Sequence, residues 1–299
     1  MSKPLWINKI DEISFSIMVD LTPYLSTSPS FQAPVRKEYL MHDPATANWI
    51  GLWTLYVREV RRFAKVYMQT LLAPMVTTLL FFAVFALALG EVAPTVANIS
   101  FLNFLAPGLI IMAIAQNSFA NTSSSLMSLK IQGNIVDTLM PPLTASELHF
   151  GFSMGGVTRG SAVGFTLALV MSFFVDLGVH SFGHIMFHGI MTSMMLSQLG
   201  VLGAIWAEKW DHISGVTNFV ITPLAFLSGT FYSIQRLPEI AQTVAHFNPF
   251  FYMIDGFRYG FIGYADGNIT VGLLVMAAIN ISLWTICTRL FASGYKLKP

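Results

Sequence analysis

Apolar residues run along this chain in long uncharged blocks rather than at short alternating intervals. No Asp, Glu, Lys or Arg lies between Glu91 and Lys130, and none between Asp266 and Arg289. Uncharged runs of about 18 residues or more predict membrane-spanning helices. Six spans are expected, at 68–89, 99–121, 148–175, 182–207, 213–234 and 269–288. Each is about 20 residues or longer, enough for a ~30 Å hydrocarbon core at 1.5 Å per residue. Backbone groups inside a bilayer must be satisfied within the segment, and no short alternating strands are present, so the spans are helical. No period of 20–50 residues repeats, and a single all-α bundle is the simplest architecture.

The flanks break this pattern. Residues 1–45 are polar and interrupted by Pro4, Pro23, Pro29, Pro34 and Pro44. They read as a mobile N-terminal extension, without the basic start and early apolar core of a signal peptide. Residues 46–67 form an amphipathic helix. Trp49, Trp53, Tyr56, Val60, Ala64 and Tyr67 fall on one face, and Thr54, Arg58, Arg61, Arg62 and Lys65 fall opposite. A basic face backed by aromatic residues predicts a helix lying in the membrane interface. Two connections are also unusual. The loop 122–147 is long and ends its amphipathic part at Met140-Pro141-Pro142. The segment 235–267 carries Phe247, Phe250, Phe251, Tyr252, Phe257, Tyr259 and Phe261, too apolar for an aqueous loop. It reads as a re-entrant helical hairpin before the last span.

Composition sharpens this reading. The chain has 16 basic and 15 acidic residues in 299, or 10% charged, against about 25% in a soluble domain. That excludes an ordinary soluble enzyme, a secreted disulfide scaffold and a nucleic-acid binder. The net charge of +1 offers no bulk attraction for an acidic partner. Cys287 has no second cysteine to pair with. The placement of Lys and Arg predicts orientation. Eight of the 16 precede the first span. Lys130, Lys209, Arg289, Lys296 and Lys298 fall on the same side, and only Arg236 and Arg258 on the other. By the positive-inside rule both termini are cytoplasmic in a cell (inner or plasma) membrane.

Few motifs carry chemistry. The chain has no Gly-Lys dipeptide and hence no Walker A loop, no GxGxxG and no HExxH. Gly151-Phe152-Ser153-Met154-Gly155 fits G-x-S-x-G, but no strand precedes it. Gly151 and Gly155, then Gly156, Gly160 and Gly164, are spaced four apart, which lets membrane helices approach closely. Asp176, His180, His184 and His188 are also spaced four apart, and packing is preferred to a metal site because three histidines in a row do not close one. Arg159 lies within the third span, about 18 Å from Glu147 along the helix. A charge there costs at least ~2.5 kcal/mol and must face a cavity, the bundle interior or a partner. It reads as a pathway residue or a helix-interface arginine. Asp255 and Arg258, three apart, are spaced so that they could pair on a short external helix, as a structural clasp.

Five stretches are familiar: Met68-Gln69-Thr70-Leu71-Leu72-Ala73-Pro74, Phe104-Leu105-Ala106-Pro107-Gly108-Leu109-Ile110, Gly155-Gly156-Val157-Thr158-Arg159-Gly160, Leu227-Ser228-Gly229-Thr230-Phe231-Tyr232, and the run from Asn248-Pro249 to Tyr259-Gly260. From about Trp53 onward the chain resembles the ABC-2 type permeases, membrane subunits of one class of ATP-binding cassette exporters, and within them the YadH/NodJ-like branch. The resemblance implies a homodimer of permeases, each docking a separate ATPase that holds ATP and Mg²⁺, with no cofactor on this chain. It implies an ATPase-coupling loop mapped here to Lys130, Gln132, Asn134, Asp137, Pro141 and Glu147. A second coupling contact maps to Trp53, Arg58, Arg61 and Arg62. Gly156, Arg159 and Gly160 would line the path or a helix interface. Gly229, Asn248, Pro249, Tyr252, Asp255 and Arg258 would shape the external hairpin. The expected cargo is amphipathic or lipid-like. The rivals are an integral-membrane lipid-modifying enzyme using Ser153 or His184, and a channel or scaffold without an ATPase.

Overall fold

The computed structural model describes residues 47–89, Thr95 and 99–297. The expected N-terminal extension, 1–45, lies outside them. Helix α1, Trp49–Ala64, starts at Asn48, whose side chain accepts from the Gly51 amide at 2.9 Å. Its last turn holds Arg61 and Arg62, favourable charges at a helix C-terminus. A π-helical turn, Met68–Leu72, leads into α2, Ala73–Leu89. Helix α3 spans Phe101–Ile131, the short α4 Ile135–Leu139 and α5 Ala145–Met171. Helix α6 covers Phe182–Trp206. Then α7, Trp210–Val216, passes through a second π turn, Thr217–Ile221, into α8, Thr222–Leu227. Helix α9, Glu239–Phe247, and α10, Pro249–Ile262, form a pair before α11, Ile269–Ser293.

Both π turns come just before a proline, Pro74 or Pro223. A proline offers no N–H to the preceding turn and crowds its carbonyl; widening that turn relieves the clash without ending the helix. Among the described residues, five helical segments are long and apolar enough to cross a membrane: Met68–Ala88, Phe101–Ile131, Ala145–Met171, Phe182–Trp206 and Ile269–Ser293.

Helix α3 is the centre of the bundle. It packs against α5, α6 and α10, and its 31 residues reach about 46 Å, well beyond a ~30 Å hydrocarbon core. The seam with α5 and α6 is built from small residues. A Cβ at Gly156 would collide with Ser197 Oγ, at Gly160 with Ser118 Oγ, at Gly164 with Ile114, and at Gly200 with Thr122. Without those side chains the backbones come close enough for dispersion contacts, the main attraction between helices where no water is displaced. By contrast α2 and α11 leave much apolar surface uncovered, including Val76, Leu80, Leu87, Leu274 and Ile281.

Two expectations change at this level. The loop predicted from Thr122 starts only after Ile131. The Ser/Thr run there stays helical because the hydroxyls bond back to their own helix: Ser123 Oγ donates to Phe119 O at 2.7 Å and Ser124 Oγ to Asn121 O at 3.1 Å. The fifth predicted span, 213–234, is helical only to Leu227. Gly229 then turns with φ +80, a left-handed conformation that glycine adopts without steric cost. Helix α1 also buries a third face, between the aromatic and basic stripes. It is Leu52, Leu55, Glu59 and Phe63, packed on α5, while Trp49 and Trp53 remain 72% and 65% exposed.

The seam makes a direct prediction. Gly156→Val and Gly160→Val should each cost about 1–3 kcal/mol or more through overpacking. Gly183→Ala, in open space within α6, should not lower stability. Thermal unfolding in detergent, followed by loss of the monodisperse gel-filtration peak, measures both.

Candidate functional site

Polar groups concentrate at three levels of the bundle. At the α1 end, Glu59 is 1% exposed and is held between Arg58 at 3.3 Å and Arg62 at 3.4 Å. Arg58 also donates to Thr138 Oγ1 of α4 at 3.0 Å. Arg62 reaches α3, donating to Asn121 O at 2.7 Å, Asn121 Oδ1 at 2.9 Å and Ser124 Oγ at 3.2 Å. Thr144 and Glu147 make a reciprocal capping box at the start of α5. The other Glu147 oxygen accepts from the Asn48 amide at 2.6 Å. One carboxylate therefore fixes the first turns of both α1 and α5.

The six residues expected in the coupling loop divide into two groups. Gln132, Asn134, Asp137 and Pro141 form an exposed ridge around α4, together with Val136 and Met140. Lys130 and Glu147 turn inward as braces. Lys130 Nζ donates to Ala204 O, Ile205 O and Ala207 O at 2.7–2.9 Å, capping the C-terminal carbonyls of α6. On α1, Trp53 and Arg61 are exposed while Arg58 and Arg62 are half engaged in the clamp.

At mid-helix, Arg159 of α5 donates to Asn117 Oδ1 of α3 at 3.1 Å, and its buried Nε has no partner. Among the described residues no carboxylate pairs with it. It lines a cavity of about 460 Å³ with Gln69, Thr70, Thr77, Gln116 and Asn117. Gly156 and Gly160 flank it in the helix seam. Ser153, the centre of the G-x-S-x-G match, is fully buried inside α5, with no strand-to-helix turn to expose it.

At the hairpin end, Asp255 and Arg258 do not pair with each other. Each holds a different segment. Arg258, 1% exposed, donates to Gly229 O at 2.6 Å and to Thr230 O at 3.5 Å. Its guanidinium lies 3.7 Å from the centre of the Phe104 ring. Asp255 accepts from the amides of Asp266 at 2.7 Å and Gly267 at 2.9 Å. Burial pushes its carboxyl above the ordinary range, against the opposing pull of the Asp266 and Gly267 amides and the Arg258 charge. The i, i+3 spacing allowed a pair, but open carbonyls after α8 and free amides before α11 offered each group a better-directed partner.

Asn248 Nδ2 binds Leu224 O and Ser228 Oγ, and its Oδ1 caps α10 at the Phe250 amide, with Pro249 opening the helix. Tyr252 packs on Phe251. Gly108 of α3 lies so near the turn that a Cβ would sit 2.5 Å from Thr230 O.

The histidine row packs on α10. Tyr259 sets its edge against His180 and His184, at 5.2 and 5.0 Å between centroids. His188 fits over Gly256, where any Cβ would strike its ring. Among the described residues no three His, Cys, Asp or Glu side chains gather as a metal site.

Sequence reading missed Glu59, Asn117 and Asp266. Glu59 was detectable: it continues the Leu52–Leu55 spacing and lies three before Arg62. Gln116-Asn117 stood out inside an apolar run. Asp266, which accepts from Ser233, Ile234 and Tyr264, had no comparable signal.

These features define a multi-pass integral membrane protein whose polar chemistry braces helices and lines a cavity. Residues 51–262 match the family model of the ABC-2 type transporter, and the chain belongs to that family. It is a membrane transporter subunit. Among its relatives is the inner membrane transport permease YadH of Escherichia coli (strain K12), 35% identical over 250 residues, which cover 84% of this chain and 98% of that protein. Nodulation protein J of Neorhizobium galegae is 22% identical over 76% of this chain and 86% of its own. Nodulation protein J of Rhizobium leguminosarum bv. viciae is 22% identical over 81% and 93%.

The hairpin clasp is testable. Arg258→Met should leave the Gly229 and Thr230 carbonyls unpaired, at about 1–3 kcal/mol. Trypsin should then cut sooner after the exposed Arg236. The variant is compared with wild type by timed digestion in detergent and by mass of the fragments.

Proposed function

We propose that this chain is the permease subunit of an ATP-binding cassette exporter, working as a pair of identical copies with separate ATPase subunits. ATP and Mg²⁺ belong to the ATPase. In this reading six segments span the inner or plasma membrane, the run from α7 through α8 serving as the fifth. Helices α9 and α10 form the external re-entrant hairpin. Both termini are cytoplasmic, which follows from the Lys and Arg bias. Helix α1 lies in the interface with Trp49 and Trp53 toward lipid. The cargo is amphipathic or lipid-like.

The observation that carries the reading is the ridge Gln132–Pro141 and its attachments. It is exposed at its tip, yet joined to α1 through Arg58 and Thr138, and it runs straight into α5 through the Glu147 capping box. A push on that ridge has a rigid route into the helix that carries Arg159. ATP-driven closure of the two ATPases would supply the push.

The experiment is co-purification with an ATPase encoded beside this chain. Asp137→Lys combined with Pro141→Ala should lower recovery of the ATPase by about tenfold, the loss expected on removing a central interface contact. Lys209→Gln should not change it. Robust ATP hydrolysis by the purified chain alone would sink the reading.

A further inference from the structure

The cavity at Arg159 does not stand alone. A second cavity, of about 240 Å³, shares Thr77, Thr78, Ala113 and Gln116 with it. The two form one groove between α2, α3 and α8. Its ends differ in chemistry. One end holds the Arg159 guanidinium, with Asn117 and Gln116 beside it. The other is aromatic, with Phe81, Phe226 and Phe231. Phe231 lies 5.2 Å from Phe226 and 6.4 Å from Phe81 between centroids.

Arg159 is under-compensated in this setting. It donates to a neutral amide oxygen, Asn117 Oδ1, and its buried Nε is unpartnered. A guanidinium desolvated in a membrane bundle without a carboxylate is costly unless an anion completes it. The fork of N–H donors suits a phosphate or carboxylate, bound through charge-assisted hydrogen bonds. At the other end Phe81, Leu109, Met112, Phe226 and Phe231 make up more of the wall than the Thr77, Thr78, Thr222 and Gln116 side chains, a surface that suits an apolar tail better than water.

We propose that this groove binds an anionic amphiphile, with the phosphate or carboxylate headgroup on Arg159 and the apolar tail along Phe226, Phe231 and Phe81. This deepens the permease reading by naming the substrate class. It rests on that reading only for the claim that the bound molecule is cargo. The headgroup lies toward the α1 end and the tail toward the hairpin. A molecule with a charged head and no tail, such as inorganic phosphate, fills only half of the site.

The test uses the full chain, purified in neutral detergent with no ATPase present. It is incubated with equal amounts of phosphatidylglycerol and phosphatidylcholine, and retained lipid is counted by native mass spectrometry. Wild type should retain phosphatidylglycerol in preference. Arg159→Gln should lower that retention by about tenfold, the value of one charge-assisted contact, without changing phosphatidylcholine. Arg159→Lys should fall between. Phe226→Ser, at the groove mouth, should also weaken retention and keeps the charge intact if Arg159→Gln fails to fold. Lys209→Gln removes a surface cation and should have no effect.

Inorganic phosphate competes in a parallel arm. Weak displacement by millimolar phosphate fits an amphiphile; complete displacement would mean a free-anion site and overturn the tail assignment. Unchanged phosphatidylglycerol retention in Arg159→Gln, or an equal loss in Lys209→Gln, would overturn the headgroup assignment. Because this readout needs no ATPase, a failure to recruit one sinks only the permease reading. Arg159-dependent retention supports the groove in either case.

Discussion

The close approach of three backbones at the α3–α5–α6 seam is the constraint on which the other features rest. In a bilayer no water is released when helices meet, so contact has to come from surfaces that fit closely. Glycine and serine provide this where Gly156, Gly160 and Gly200 face Ser197, Ser118 and Thr122. The seam leaves little room for side-chain adjustment. Polar groups beside it are therefore held at fixed positions. Asn117, one residue before Ser118, is oriented by its own bond to Ala113 O at 3.0 Å and turns its Oδ1 to Arg159. The arginine is thus oriented by the same packing that carries the bundle.

The two ends of the molecule are organised by opposite uses of charge. At the α1 end, arginines surround one buried acid, Glu59, and tie two helices and a loop together. The pair is partly desolvated, so its value lies in specifying position more than in net stability. At the hairpin end, Arg258 and Asp255 each satisfy backbone groups left open where helices stop. Unpaired carbonyls after α8 and unpaired amides before α11 would be expensive in an apolar setting. The first arrangement fastens elements that lie side by side. The second closes gaps in the chain itself.

Much of this was legible from residue order. Long uncharged blocks are the strongest pattern a sequence carries; they located five helices, four of them within a few residues at each end and α3 with its last ten residues left out. The glycine spacing pointed to the seam, and Arg159 stood out because nothing charged surrounds it. What escaped was decided by partners distant in sequence. Thr122–Ile131 looked like a polar loop, yet its hydroxyls are satisfied by the helix they belong to, and Thr122 also reaches Ser197 O at 2.8 Å. Asp255 and Arg258 were three apart, and local spacing allowed a pair. Which group each binds depends on where α8 stops and α11 starts, and a local window holds neither. The face of α1 that meets α5 has no such local mark: it is made by Leu52, Leu55, Phe63 and one acid, Glu59, whose partners lie on other helices.

Helix α3 joins the three levels. Near its start, Phe104 lies under the Arg258 guanidinium and Gly108 touches the turn at Thr230. Midway, Ala113, Gln116 and Asn117 form a wall of the groove. Farther along, Asn121 and Ser124 receive Arg62, and Lys130 closes the end of α6. A helix with its backbone hydrogen bonds intact resists bending, so displacement at one end is transmitted along its length rather than absorbed. Pro107 is the one interior break in that ladder, and it lies beside the hairpin clasp rather than at the groove. Movement at the α1 clamp would therefore reach Asn117 with the helix stiff, and yield, if anywhere, at the hairpin end. That places the compliant joint on the side where the aromatic end of the groove lies, and the rigid one where Arg159 sits.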